Sequence, residues 1–175
     1  MIAMGRYQWV MRSLFIILLC CTSVLCFSQE PTDSLPGDPG GLTVYTVQNM
    51  SFGAFTQGNS GGTVTISTAG SRSVTGTITP LNFGVSYFQA IFEIDAPQGS
   101  VISILNGPNA TLTGSNGGTM SLQIGSSSPA SPFITTVAQP LRTSVSIGGT
   151  LTVGTPATSP SGLYNGTFYI TFNQE

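Results

Sequence analysis

The sequence contains no histidine and no lysine, and charged residues make up only 6% of it. Its three cysteines (Cys20, Cys21, Cys26) and its single tryptophan (Trp9) all fall within the first 28 residues. Each scarcity excludes something. Without histidine or lysine, the usual bases that activate a serine nucleophile are missing. Without cysteine beyond residue 28, the rest of the chain has no disulfide framework and no thiolate metal site. From residue 29 onward, Arg72 and Arg142 stand against Glu30, Asp33, Asp38, Glu93, Asp95 and Glu175, a net charge of −4. A negative chain without a basic stripe has no electrostatic footprint for nucleic acid or an anionic membrane. No cofactor is expected, and the reading is non-enzymatic.

What is present is β-forming. Val, Ile, Thr, Phe and Tyr alternate with Ser, Thr, Gly and Asn, and 22 Gly and 11 Pro punctuate them. Disorder needs few β-branched and aromatic residues, which is not the case here. The composition is that of a β protein whose outer face carries hydroxyls rather than charges.

The first 28 residues read as a signal peptide. Arg6 and Arg12 precede the apolar run from Leu14 to Leu19, and Cys26 and Ser28 are small residues suited to cleavage before Gln29. Met11 is an alternative start, and a lipoprotein anchored through one of the cysteines is an alternative fate. The apolar run is short of the roughly 20 residues a membrane span needs, so no span is expected after cleavage. Export to the periplasm, cell surface or medium follows. Residues 29–41, with three prolines, three glycines and three acids, read as a flexible lead.

Residues 42–175 read as strands and turns. Leu42–Val47 is a first strand and Met50–Phe55 a second, with Met50 and Phe52 inward. Gln57–Gly62 reads as a loop, and Val64 and Ile66 face inward on the strand after it. Val85–Ala96 is the longest β run, with Phe88, Ala90, Phe92, Ile94 and Ala96 on one face and Glu93 and Asp95 on the other. Val101–Leu105 is apolar enough to be buried on both faces. Asn116-Gly117-Gly118 signals a hairpin. Gly148-Gly149 allows a bend or bulge between Ile147 and Leu151. Nine or ten short strands without helical periodicity predict an antiparallel sandwich or a partly open barrel.

Several patterns invite chemistry and have simpler readings. Gly58-Asn59-Ser60-Gly61-Gly62 matches Gly-x-Ser-x-Gly, yet it lacks a base and is more simply a tight glycine turn. Glu93 and Asp95 are two neighbours on a wet strand face, without the oxygen count a calcium site needs. Arg72 and Arg142 read as surface charges, each able to pair with a carboxylate across the sheet. The aromatic residues read as core packing rather than a sugar site. No catalytic, cofactor or metal residue is assigned.

The chain is organised around its last alternating stretch, Gly162–Asn173. Tyr164, Phe168, Ile170 and Phe172 fall on one side of an extended strand because side chains alternate with period two. Such a one-sided strand must lie against a sheet or another chain, so these four residues are the candidate assembly residues.

Met50-Ser51-Phe52-Gly53-Ala54-Phe55, Gly61-Gly62-Thr63-Val64-Thr65-Ile66, Gly70-Ser71-Arg72-Ser73-Val74-Thr75-Gly76, Ile147–Gly154 and Ser161–Phe168 together resemble a bacterial secreted β-domain family. It is the one called domain of unknown function 4402, and it is similar to spore coat protein U and to subunits of archaic chaperone–usher pili. The resemblance implies an immunoglobulin-like sandwich at the bacterial surface. It further implies partners that engage an open sheet edge by strand addition, either a pilin-type chaperone or another copy. The expectation is a fimbria-like structural subunit assembling through Tyr164, Phe168, Ile170 and Phe172. The alternative is a self-contained module binding glycan or protein through the loops Gln57–Gly62, Ser126–Pro132 and Gly154–Ser161.

Overall fold

The computed structural model describes residues 41–175. The signal peptide expected in residues 1–28 and almost all of the lead expected in residues 29–41 lie outside the described residues. Thirteen strands follow one another in the described part of the chain: β1 Thr43–Gln48, β2 Ser51–Phe52, β3 Phe55–Ile66, β4 Arg72–Pro80, β5 Tyr87–Phe88, β6 Ala90–Asp95, β7 Val101–Asn106, β8 Ala110–Gly114, β9 Thr119–Ser128, β10 Phe133–Ile134, β11 Thr143–Val153, β12 Tyr164–Asn165 and β13 Ile170–Gln174. All pairings between these strands are antiparallel.

Two sheets make a β-sandwich. The large sheet runs β1-β6-β11-β9-β8-β12, with β3 also pairing β11 and β4 lying outside β3. Strand β11 is its spine. Its first half pairs with β6 and its second half with β3 along one edge, while β9 covers the other. The change of partner falls where the register shifts between Ile147 and Gly149, so Gly148-Gly149 forms the expected bulge. A side chain at Gly148 would press on the carbonyl oxygen of Ile66 at 2.5 Å, which explains the need for glycine there. The small sheet is β10-β7-β13, and a two-stranded ribbon pairs β2 with β5.

The core fills the space between the sheets. Val64 and Ile66 from β3, Ala90 and Ile94 from β6, Met120, Leu122 and Ile124 from β9, and Val145, Ile147, Leu151 and Val153 from β11 are buried from one side. Ile102 and Phe133 close it from the other. The period-two alternation in the sequence places the residues of β3, β6, β9 and β11 correctly, whereas Phe133 and the one-sided burial of Ile102 do not follow from it. The small sheet is tied to β9 by Asn106, whose Nδ2 donates to the carbonyl of Gly125 at 3.0 Å.

Four expectations need correction. Gln57–Gly62 is not a loop but part of the twelve-residue β3, which stays paired with β4 across a register shift between Gln57 and Gly62. Gly61, at φ +67°, absorbs the irregularity, and Thr77 Oγ1 donates to its carbonyl at 2.9 Å. Glycines that look like a turn in sequence serve here as a bulge inside a long strand. The run Val85–Ala96 is divided between β5 and β6, which pair with different partners. Val101–Leu105 is not buried on both faces: Ile102 is buried while Leu105 is 64% exposed, because no layer covers the outer face of the small sheet among the described residues. The stretch Gly162–Asn173 is not one strand; β12 joins the large sheet and β13 the small one.

Candidate assembly edge

Tyr164, Phe168, Ile170 and Phe172 are all half-buried and packed against the core, whereas Tyr169, Thr171 and Asn173 between and after them are exposed. The period-two pattern therefore survives even though the backbone changes sheets. Tyr164 sits where β12 meets β8, opposite Gly114, and its Oη donates to the carbonyl of Pro160 at 2.6 Å. A side chain at Gly114 would collide with the Tyr164 ring, so that glycine is the seat of the ring. Residues 166–169 then cross the open end of the sandwich, with Gly107 N–H donating to Tyr169 O at 2.9 Å.

Strand β13 answers which edge the terminal stretch takes. It lies along β7, from Ile170 opposite Asn106 to Gln174 opposite Ile102, and Glu175 N–H extends the ladder to Val101 O at 3.0 Å. Phe172 packs across the sandwich on Phe92 of β6, with ring centroids 5.5 Å apart. Among the described residues no strand lies on the other side of β13, so backbone donors and acceptors that point away from β7 line an open edge. The core residues nearest this edge, Phe92, Ile104, Phe168, Ile170 and Phe172, are only half-buried. Residues at the β3–β11–β9 centre, by contrast, are almost completely enclosed.

A further edge, in the large sheet, is β1. It pairs only with β6, and Thr43 through Val47 are exposed. Arg142, just before β11, holds it down. The guanidinium lies 3.8 Å from the centroid of the Tyr45 ring and 3.0 Å from Glu93 Oε2, the residue opposite Tyr45 on β6. Its hydrogen bond to Glu93 pushes the Arg142 pKa still higher, with Tyr45 and Asp95 adding to the effect. Asp95 accepts from Gln139 Nε2 at 2.9 Å. Glu93 and Asp95 thus share a face, as the sequence indicates, and both have protein partners.

Arg72 has a role that sequence reasoning missed. Its Nη1 donates to the carbonyls of Phe52 and Ala54, both at 3.1 Å, and the guanidinium stacks 4.3 Å from the Tyr87 ring centroid. It pins the β2–β5 ribbon to the start of β4. The only available hint was an arginine in an otherwise uncharged segment. Ser60 of the Gly-x-Ser-x-Gly match lies within β3. Among the described residues, no group of three or more His, Cys, Asp or Glu is placed to hold a metal ion, and no helix is long and apolar enough to cross a membrane.

These features define an all-β sandwich protein with an open sheet edge at β13. The chain belongs to the family described as domain of unknown function (DUF4402), whose model matches residues 42–173. No curated protein and no solved structure matches it.

Proposed function

We propose that this is an exported, non-enzymatic structural subunit of the bacterial surface, of immunoglobulin-like architecture, that assembles by strand addition at β13. The observation that carries the reading is the pairing of an open β13 edge with half-buried Phe168, Ile170 and Phe172 beside it. An added strand would satisfy the free backbone groups and complete the burial of these side chains, the two gains on which β-augmentation rests. The partner is a pilin-type chaperone before assembly and another copy afterwards. This is the behaviour expected of relatives of spore coat protein U and archaic chaperone–usher subunits.

The alternative, a loop-based binding module, loses one of its three loops, because Gln57–Gly62 lies within β3, and part of a second, because the first three residues of Ser126–Pro132 belong to β9. The experiment is light scattering of the exported protein after chromatography, with electrophoresis before and after boiling in detergent. Heat-dissociable ladders are expected, and Phe168→Asp or Ile170→Asp should abolish them. A wild-type protein that is a stable monomer under all these conditions would overturn the reading.

A further inference from the structure

Three Asn-Gly pairs fall within the described residues: Asn106-Gly107, Asn116-Gly117 and Asn165-Gly166. All three asparagines are exposed, so burial does not separate them; their hydrogen bonds do. Asn106 Nδ2 donates to the carbonyls of Ile124 and Gly125 at 3.4 and 3.0 Å, and Gly107 N–H donates to Tyr169 O at 2.9 Å. Asn116 Nδ2 donates to Ser161 O at 2.7 Å, and Gly117 N–H donates to Gly114 O at 3.1 Å. In both pairs the side-chain amide and the N–H that follows it are held by separate partners. Among the described residues, neither the Asn165 side chain nor Gly166 N–H is held in this way.

The strand pairing explains the free N–H. Ser115 N–H donates to Leu163 O at 2.8 Å, and Asn165 lies opposite Thr113. In an antiparallel ladder every second residue turns both of its backbone groups to the partner strand. Leu163 and Asn165 therefore face β8, and Gly166 N–H faces away from it. That side is open, because β12 is the outermost strand beyond β8 and is only two residues long. Gly166 is fixed as glycine by its approach to β8, where a side chain would meet Thr111 O at 2.7 Å.

We infer that Asn165-Gly166 is a site of spontaneous covalent modification, at which Asn165 loses ammonia and becomes aspartate or isoaspartate. The Gly166 amide nitrogen gives up its proton to solvent and attacks Asn165 Cγ. The N–Cγ bond forms, the Cγ–Nδ2 bond breaks, and Nδ2 leaves as ammonia with a proton from water. The product is a five-membered succinimide. Water then adds to one of its two carbonyls and opens the ring, giving aspartate, or isoaspartate where the backbone now runs through Cγ. Glycine favours the attack because it has no Cβ to block the approach. The two groups must turn toward each other, which a two-residue edge strand permits and the hydrogen bonds at Asn106 and Asn116 prevent. Either product adds one negative charge. Isoaspartate also lengthens the backbone by one methylene between Tyr164 and Phe168, both of which pack on the core. The spacing that seats both side chains is then broken, and β12 loosens from β8. The inference stands whether or not β13 receives an added strand.

The test incubates the full exported chain, folded, at mildly alkaline pH in water labelled with heavy oxygen. Mass spectrometry of chymotryptic peptides follows each Asn-Gly pair, and electron-transfer fragmentation tells isoaspartate from aspartate. Asn165 is expected to convert several times faster than Asn106 and Asn116 and to take up one oxygen from the water. In denaturant the three pairs should convert at comparable rates, because the fold alone distinguishes them. Asn165→Gln, at an exposed position, should abolish the reaction there and leave the thermal melt unchanged. In the converted chain the amides of Thr113 and Ser115, which face β12, should exchange with solvent faster than before. Conversion of Asn106 or Asn116 as fast as Asn165 in the folded chain overturns the inference, and so does an Asn165 that converts only after unfolding. A spread of rates in denaturant as wide as in the folded chain overturns the role given to the fold. Unchanged exchange at Thr113 and Ser115 overturns the loosening of β12.

Discussion

Phe92 on β6 and Phe172 on β13 meet across the sandwich with ring centroids 5.5 Å apart and planes tilted by 58°. This contact joins the terminal strand to the large sheet, since β13 pairs through its backbone only with β7. Tilted aromatic pairs add favourable quadrupole contacts to their burial. Phe172→Ala should destabilise the protein by about 2 kcal/mol, below the range for a fully buried Phe because the ring is half-exposed. Urea unfolding measures this. A loss as large as that of a core Phe would mean that the open edge is already covered in solution.

The centre of the core is less forgiving. Ile147 on β11 is fully buried and belongs to the core cluster to which both sheets contribute. Ile147→Ala should cost about 3 kcal/mol through lost transfer energy and an unfilled cavity. Val47→Ala, at an exposed edge-strand position, should fall within about 0.5 kcal/mol of wild type. The two unfolding midpoints decide it.

Gly61 and Gly117 make a paired test of backbone conformation. Both have positive φ, +67° and +84°. A side chain at Gly117 meets nothing within 4 Å, whereas one at Gly61 would run into the carbonyl oxygens of Val153 and Gly154. Gly117→Ala should cost only the backbone penalty of about 1–2 kcal/mol. Gly61→Ala should cost distinctly more, because the β3 bulge must move away from the end of β11. Equal thermal shifts would disprove the steric account of the bulge.

Strand β1 depends on Arg142. In Arg142→Gln the amides of Thr43–Val47 should exchange with solvent faster than in wild type, while those of β9 and β11 stay unchanged. High salt should move wild type part of the way toward the variant, because the Arg142–Glu93 pair is exposed to screening. The raised Arg142 pKa means that the charged form favours the folded state. That contribution is complete below the unfolded pKa of arginine and is lost only as pH rises through the higher folded value. Exchange of the β1 amides, corrected for intrinsic rates, should therefore show no Arg142-dependent change between neutral and mildly alkaline pH.

The period-two rule makes the inward side chains legible in the residue order itself. Val64 and Ile66, Met120, Leu122 and Ile124, and Tyr164, Phe168, Ile170 and Phe172 all face the core because successive residues of an extended chain point to opposite sides. Asn116-Gly117-Gly118 is legible as a hairpin because only glycine accepts both positive φ values cheaply. Strand partners are not legible. Whether Tyr164 and Ile170 share a sheet, whether Gln57–Gly62 turns or bulges, and whether Leu105 is covered depend on residues far away in the chain. The single sequence carries no local trace of those pairings.

The sequence by itself determined the class of fold, the two faces of the alternating strands and the hydroxyl character of the outer surface, all consequences of local alternation and composition. Only the tertiary structure decided that the last segment passes from β8 to β7, leaving β13 as an open edge. It also decided that hydroxyl-bearing residues from five separate strands, Thr75, Thr63, Thr152, Ser121 and Thr111, stand in one register. Both are properties of hydrogen-bonded pairing between distant segments, which a period along one strand does not encode.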